Sequence, residues 1–341
     1  MNNRKCTLSD IAKATGLSIT TVSRAINGAR YVSEKNKQLV SAAKKELEYT
    51  PNLIARSLKI QHTNQIMLCL PDNNPFYYGM IAAIDKECKK TGYTLLLTFY
   101  DKDDNEQFKV IKRAHNGFLD GLILICINVN EQVIEELNHL NIGVVLVGYH
   151  AFNFLRFNRK FDYVATDTKS GIYASTKKLV EIGCTKIAYI GMKLNTTTAI
   201  ERFEGYKMAM MESGLKIIEK YNGFADNYEQ LGYKMGIEYI RNKDIPEAIC
   251  AANDMVVLGL LSAFREYGID VTKTVNIIGM DNTFIGEKVS PTISSVDIMS
   301  TGLGENAIKL LLNRLKDKSI GYQDVVLSPM FIGRESSGNI I

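Results

Sequence analysis

The chain has 341 residues, 46% apolar and 23% charged, with a net charge of +4, the balance of a water-soluble globular protein too long for one ordinary hydrophobic core. No apolar run approaches the roughly 20 residues that span a bilayer, and residues Met1–Lys5 hold no apolar signal segment, so neither a membrane protein nor an exported one is expected. Six cysteines scattered without C-x-x-C spacing fit small core residues in a reducing cytoplasm rather than a disulfide framework.

The first predicted elements are three short helices. Thr7 precedes an apolar-periodic run and has Asp10 three residues on, the pattern of a capped helix start. Leu8, Ile11 and Ala12 share one face of that helix. Gly16 marks a sharp turn, and Ser18 is positioned to cap a second helix. In that helix Val22 and Ile26, four apart, form an apolar stripe, while Thr20, Thr21, Ser23 and Arg24 make the opposite face polar. Val40, Ala43 and Leu47 give a third helix the stripe to cover both. One face that packs and one that offers donors is what a helix reading base edges in a DNA major groove requires. Residues 1–62 hold eleven Lys and Arg against four Asp and Glu, a net of +7 in a chain of +4, so the remaining 279 residues carry −3. The positive excess is confined to the helical module, where phosphate contacts need it.

After His62 the pattern alternates. Apolar strands are predicted at Ile66–Leu70, Thr94–Tyr100, Gly121–Ile127, Val144–Gly148, Tyr163–Thr166, Lys186–Gly191, Ala248–Ala252 and Val275–Gly279. Amphipathic helices fall between them, as at Gly79–Thr91, Gln132–Leu140, Gly171–Ile182 and Arg202–Ser213. Near-continuous apolar strands separated by helices mean parallel sheet covered on both faces, and this many units divide into two doubly wound lobes. Such sheets bind ligands outside the carboxyl ends of their strands, here in a cleft between the lobes.

Other motifs lead elsewhere and fail. Gly302-Leu303-Gly304-Glu305-Asn306-Ala307 fits G-x-G-x-x-A but lacks the surrounding unit of a dinucleotide site. The four histidines have no metal-ligand spacing, and no cofactor is implied. No nucleophile elbow, Walker loop or zinc-protease motif is present. The methionines Met208, Met210 and Met211 read as helix packing. An enzyme of doubly wound fold, such as a sugar kinase, would need a phosphate-cradling loop. A solute receptor for transport would need an export signal.

The run TLSDIAKATGLSITTVSRAING, followed by VSEKNKQLVSAAKKELEYTPNLIARSLK, resembles the lac repressor/galactose repressor family of bacterial transcription regulators. Further likeness lies in DGLILI, RFEGYKMAM, ICAANDMVVLGLLSAFREYGI, VNIIGMDNT, PTISSV and IGRESS, so the resemblance covers essentially the whole chain. It implies an α/β fold: a three-helix helix-turn-helix headpiece with a hinge helix, then two doubly wound parallel-sheet lobes like a type I periplasmic binding protein. The implied division is a DNA-binding domain at 1–50, a hinge at 51–62 and an effector-binding core at 63–341. Within that core, lobe 1 takes 63–166 and 297–326, and lobe 2 takes 167–296 and 327–341.

The resemblance also implies roles. The protein would be a cytoplasmic homodimer on palindromic operator DNA, most simply a repressor, controlled by a small sugar or related metabolite. A co-repressor-dependent or purine-type regulator is the alternative. Ile19, Thr20 and Arg24 match base-reading positions, with Arg24 suited to a guanine and Ile19 to no more than a thymine methyl. Thr21 and Ser23 match phosphate contacts, and Thr7 and Asn27 also fall at DNA-contacting positions. Asn52, Ala55, Arg56 and Leu58 fall in the hinge helix, with Leu58 as a wedge in the minor groove. For the effector, Arg202, Asn253, Asp254 and Asp281 match binding positions and suit a hydroxyl-rich ligand, while Phe76 and Tyr77 offer rings for stacking. The stretch FADNYEQLG departs from the family pattern, leaving open which of Phe224, Asn227 and Tyr228 faces the ligand. Ile127 stands where some members offer a hydroxyl.

Overall fold

The computed structural model describes residues 6–26, 31–49, 62–101, 103–115, 118–126, 128, 130–148 and 158–338. Asn27, the hinge positions Asn52, Ala55, Arg56 and Leu58, and Ile127 lie outside the described residues. The chain divides after Thr63 into two compact units.

The first unit holds α1 (Leu8–Thr15), α2 (Ile19–Ile26) and α3 (Glu34–Glu46). One carboxylate oxygen of Asp10 accepts from both the backbone N–H of Thr7 (2.9 Å) and its hydroxyl (2.7 Å), closing the start of α1. Gly16 ends α1 at φ 67°, the left-handed turn that a side chain would strain. Ser18 then starts α2 by accepting from the backbone N–H of Thr21 at 3.1 Å. Ile11, Val22, Val40 and Ala43 meet in the core of this unit. Leu47, expected in that core, is instead exposed: α3 ends before it, Glu48 takes a left-handed conformation, and the reversed chain buries Tyr49 there.

The second unit begins with β1 (Gln65–Leu70), α4 (Tyr77–Thr91), β2 (Thr94–Phe99), α5 (Asp104–Ala114), β3 (Gly121–Ile125), α6 (Glu131–Asn138), β4 (Gly143–Gly148) and β5 (Asp162–Thr166). It continues with α7 (Thr168–Glu181), β6 (Ile187–Gly191), α8 (Thr197–Glu212), β7 (Gly223–Phe224), α9 (Tyr228–Arg241) and β8 (Ala248–Ala251). Next come α10 (Asp254–Glu266), α11 (Val271–Thr274), β9 (Asn276–Met280) and β10 (Ser294–Asp297), and last α12 (Ser300–Lys316), β11 (Asp324–Leu327) and β12 (Met330–Ile332). The strands form two six-stranded sheets, ordered β11-β5-β4-β3-β1-β2 and β12-β10-β9-β8-β6-β7. Every pairing is parallel except β10 with β12. The central strands are fully buried, as their unbroken apolar runs require. Among the described residues no helix is long and apolar enough to cross a membrane.

The chain passes between the sheets three times: from β5 to α7, from β10 to α12, and from β11 to β12. These crossings shift the expected lobe boundaries slightly. Leu327 pairs with Thr166 in the first sheet and Asp297 with Met330 in the second, because the short strands β10 to β12 are not evident as apolar runs. Gly304 lies inside α12, where a Cβ would come 2.7 Å from the Met80 carbonyl oxygen, so the glycine-rich sequence there serves the packing of α12 on α4. Of the methionine stripe, Met210 is buried while Met211 is exposed.

Lobe 1 is fastened by one buried ion pair. Arg314 on α12 donates to both carboxylate oxygens of Asp162 on β5, Nε at 3.2 Å and Nη2 at 3.0 Å, and also to the carbonyls of Ile320 and Gly321. The backbone N–H of Gln323 adds a 2.8 Å bond to the same carboxylate. Removing one partner of such a pair strands a charge, whereas replacing both by apolar groups does not. Arg314→Met should therefore cost about 3–5 kcal/mol of stability, read from the urea midpoint. Adding Asp162→Leu to that variant should recover most of the loss.

Candidate recognition helix and inter-lobe cleft

On α2 the buried stripe and the free face are separated as the 3.6-residue period dictates. Val22 is fully buried against the headpiece core, and Ala25 and Ile26 are half-buried. Ile19, Thr20 and Arg24 are exposed together, with Ser23 half-buried at the edge of the same face. Ile19 is 51% exposed, a cost that an apolar surface to cover would offset. The hydroxyl of Thr21 is 2.9 Å from that of Ser18, so it belongs to the helix start as well as to the surface. Thr7 is exposed, with its hydroxyl committed to Asp10.

The cleft of the second unit is built from residues that follow strands. Lobe 1 contributes Asp72 and Asn74 after β1, and Phe76 and Tyr77 at the start of α4. Asn74 and Asp72 shape their own turn: the Phe76 N–H donates to Asn74 Oδ1 at 2.9 Å, and the Asn74 N–H to Asp72 Oδ1 at 3.0 Å. Lobe 2 contributes Met192 after β6, Thr198 and Arg202 on α8, Tyr228 at the start of α9, Asn253 after β8 and Asp281 after β9. The enclosed space is about 40 Å³, room for a water molecule and much less than a sugar ring occupies. A second cavity of about 300 Å³ lies beside it, sharing Phe76 and Asp281 and bordered by Tyr78 and Phe284, whose rings stack at 6.3 Å. The smaller space gathers the ion pair and the amide, and it is the better candidate for recognising a polar ligand.

Arg202 is held by its own lobe. Its Nη1 donates to the Ala252 carbonyl at 2.7 Å, and its Nη2 lies 3.9 Å from Asp281 Oδ1, with both side chains over 90% buried. Asp281 sits at φ 99°, a conformation that costs a non-glycine residue energy and marks a position fixed by its surroundings. Asn253 caps α10, its Oδ1 accepting from the Val256 N–H at 3.0 Å, which leaves its amide N–H groups as the atoms it can offer. Phe76 and Tyr77 are buried and meet edge to face at 5.3 Å, so a stacking partner would find ring edges before faces.

Asp254, expected beside Asn253 as a ligand group, is turned elsewhere. Its Oδ1 accepts from the Ser295 hydroxyl at 2.6 Å, and its Oδ2 from the Thr283 N–H at 2.7 Å and the Thr283 hydroxyl at 3.0 Å. It ties three segments of lobe 2 together and does not line the cleft. Asn227 caps α9, accepting from the Gln230 N–H at 3.2 Å, and Phe224 packs on Phe203, so Tyr228 is the one of the three candidates that borders the cleft. Asp72, Asn74, Met192 and Thr198 escaped sequence reasoning. Thr198 had a usable signal, lying one helical turn before Arg202 on the same face.

Comparison with known proteins gives a consistent set. Residues 7–52 match the family described as "Bacterial regulatory proteins, lacI family", and residues 176–337 match a "Periplasmic binding protein-like domain". The chain is 31% identical over 334 residues to the HTH-type transcriptional repressor PurR of Vibrio atlanticus (strain LGP32), covering 97% of this chain and 98% of that one. It is similar to a transcriptional regulator CelR–cellobiose complex at 25% identity and a TM-score of 0.69, covering 97% of this chain and all of that one. The fold is also that of the lac repressor dimer bound to operator and the anti-inducer ONPF, with a TM-score of 0.83 at 20% identity over 98% of this chain and 100% of that one.

Burial pushes the Asp254 carboxyl up to about 6, against the hydrogen bonds from Ser295 and Thr283 that pull it down. A carboxyl raised above its unfolded value of about 4 binds more protons in the native state, so stability falls as pH rises from about 4 through 6. Asp254→Asn should flatten that part of the stability-versus-pH curve, measured by urea unfolding at successive pH values.

Proposed function

The chain belongs to the lacI family of bacterial regulatory proteins, and from that premise we propose that it binds a two-fold operator as a homodimer and releases or tightens its grip when a small neutral metabolite enters the inter-lobe cleft. It is a DNA-binding, effector-controlled transcriptional repressor and not an enzyme. The observation that carries the DNA half is the exposed face of α2, where Thr20 and Arg24 stand beside the uncovered Ile19. In this reading Arg24 makes the bidentate contact to guanine, Thr20 reads an adjacent base edge, and Ile19 covers a thymine methyl. Thr21, Ser23 and Thr7 lie against phosphates and set register, a DNA-contacting role that this reading extends to Asn27, outside the described residues. Asn52, Ala55, Arg56 and Leu58, outside the described residues, take the family's hinge role in this reading, with Leu58 as the minor-groove wedge.

The effector half rests on the cleft. Arg202, Asn253 and Asp281 supply guanidinium, amide and carboxylate at one end, and Phe76 and Tyr77 supply apolar surface at the other. Arg202 is the single cation among the lining residues and already faces Asp281, with Asp72 adding a further negative charge. That balance disfavours phosphorylated ligands and favours a sugar or a nucleobase, whose hydroxyls and ring atoms use the same donors and acceptors. The cellobiose held by the similar CelR regulator is a ligand of this kind. A ligand of that size needs more than the present space, so it binds an arrangement with the lobes farther apart or differently tilted, and the population shifts accordingly. The protein works in the cytoplasm, where both DNA and such metabolites are present.

Two variants separate the halves. Arg24→Ala should lose about 1–3 kcal/mol of discrimination between operator and random DNA in fluorescence anisotropy while a sugar or nucleobase that stabilises the wild type still does so. Asp281→Ala should bind operator as the wild type does and lose the response to that compound. Ligand loss in the first variant, or an unchanged response in the second, would contradict these assignments.

A further inference from the structure

We propose that the hydroxyl of Tyr189 is a specificity-determining group of the cleft, donating a hydrogen bond, directly or through one water, to an acceptor atom on the end of the effector that lies against lobe 2. The proposal rests on the reading of the cleft as the effector site and names what that site selects.

Tyr189 is the third residue of β6 and is completely buried. Among the described residues its hydroxyl has no hydrogen-bond partner. Other buried tyrosines place their oxygens differently: Tyr206 donates to the Ile187 carbonyl at 2.8 Å, Tyr100 to the Ile125 carbonyl at 3.1 Å, and Tyr239 to the Tyr221 carbonyl. A buried hydroxyl without a partner is costly, and phenylalanine would fill the same space without that cost, so the oxygen itself calls for an explanation.

Its position supplies one. A Cβ on Gly191 would lie 2.7 Å from the Tyr189 hydroxyl oxygen and 2.9 Å from the Ala252 Cβ, so the oxygen sits directly beneath Gly191 beside Ala252. Those two residues immediately precede Met192 and Asn253, which line the cleft. The glycine and the alanine are small at the one place where the phenol ends. Arg202, also a lining residue, is near enough for its charge to act on the phenol. The ring cannot swing away, because Phe203, Tyr206 and Phe224 surround it with ring centres at 5.2, 5.4 and 6.0 Å. Burial raises the phenol above its ordinary value and keeps it a neutral donor at any working pH.

The hydroxyl, one layer behind the lining beside Gly191 and Ala252, and the lining Arg202 guanidinium thus lie at the same end of the cleft, and both are donors. A ligand that satisfies them carries a hydroxyl oxygen, ring oxygen, ring nitrogen or carbonyl at that end and no cation. A site that hydrogen-bonds one atom of its ligand rejects the analogue lacking it far more strongly than an apolar pocket rejects a missing methyl. The effector is therefore a neutral sugar or nucleobase, discriminated from its deoxy or deaza analogue at the atom facing Tyr189.

The test uses the full chain and Tyr189→Phe, with thermal unfolding and calorimetric titration of cellobiose, D-ribose, hypoxanthine and guanine. Without added compound, Tyr189→Phe should melt higher than the wild type, by about 2 °C or more. An equal or lower melting temperature overturns the proposal, since the hydroxyl would then have a partner in the resting fold. The compound that stabilises the wild type should bind Tyr189→Phe at least tenfold more weakly. If that compound is lost by Asp281→Ala but bound equally well by Tyr189→Phe, the cleft remains the effector site and the proposal alone fails. If none of the four stabilises the wild type, the sugar-or-nucleobase reading of the cleft fails and the proposal falls with it.

Discussion

Parallel strands carry their carboxyl ends to one edge of a sheet, and in this core both sheets present that edge to a single cleft. The residues that border it follow β1, β6, β7, β8 and β9 or begin the helices after them. The geometry leaves little choice, because a loop between a parallel strand and its helix is the place where side chains escape the packed layers. The three crossings between the sheets add the second constraint. They join the lobes by short segments, and apolar residues of both lobes, Val164 and Leu303 with Met280 and Val296 among them, fall in one continuous buried cluster. Two contacts mark the present arrangement: the Thr197 hydroxyl lies 3.4 Å from Asn128 Oδ1, and the Tyr78 ring stacks on that of Phe284. Both bridge the lobes.

Two acidic residues in lobe 2 illustrate how position settles role. Asp254 and Asp281 each follow a strand of the second sheet and each is buried. Asp254 spends both oxygens on Ser295 and Thr283, so its charge is absorbed by the fold. Asp281 faces Arg202 at 3.9 Å, a separation at which the attraction survives while neither group is locked to the other.

Much of this was legible in the sequence, for reasons that differ by element. Local signals mark the headpiece well: the Thr7–Asp10 pair, Gly16 and Ser18 each act within four residues. The buried strands read as unbroken apolar runs because helices cover both of their faces. The strands β7, β10, β11 and β12 are only two to four residues long and too polar or too brief to show a period. Leu47 has the right spacing for burial but follows the last turn of α3, where the chain leaves the helical face, and Met211 lies off the buried stripe of Arg202, Tyr206, Ala209 and Met210 on α8. Spacing could not separate Asn253 from Asp254 either. The first residue is the cap and the second the first turn of α10, and that one-residue step sends their side chains in different directions.

The central claim is that the cleft and the operator are linked sites. The direct measurement is reciprocal: the dissociation constant of a cleft-binding sugar or nucleobase, determined by calorimetry with and without saturating operator DNA, beside that of operator with and without the compound. Linkage requires the two ratios to be equal, and a coupling of a few kcal/mol places them at roughly 5- to 150-fold. A compound that binds the full chain with the same affinity whether or not operator is present would contradict the account, however tightly it binds.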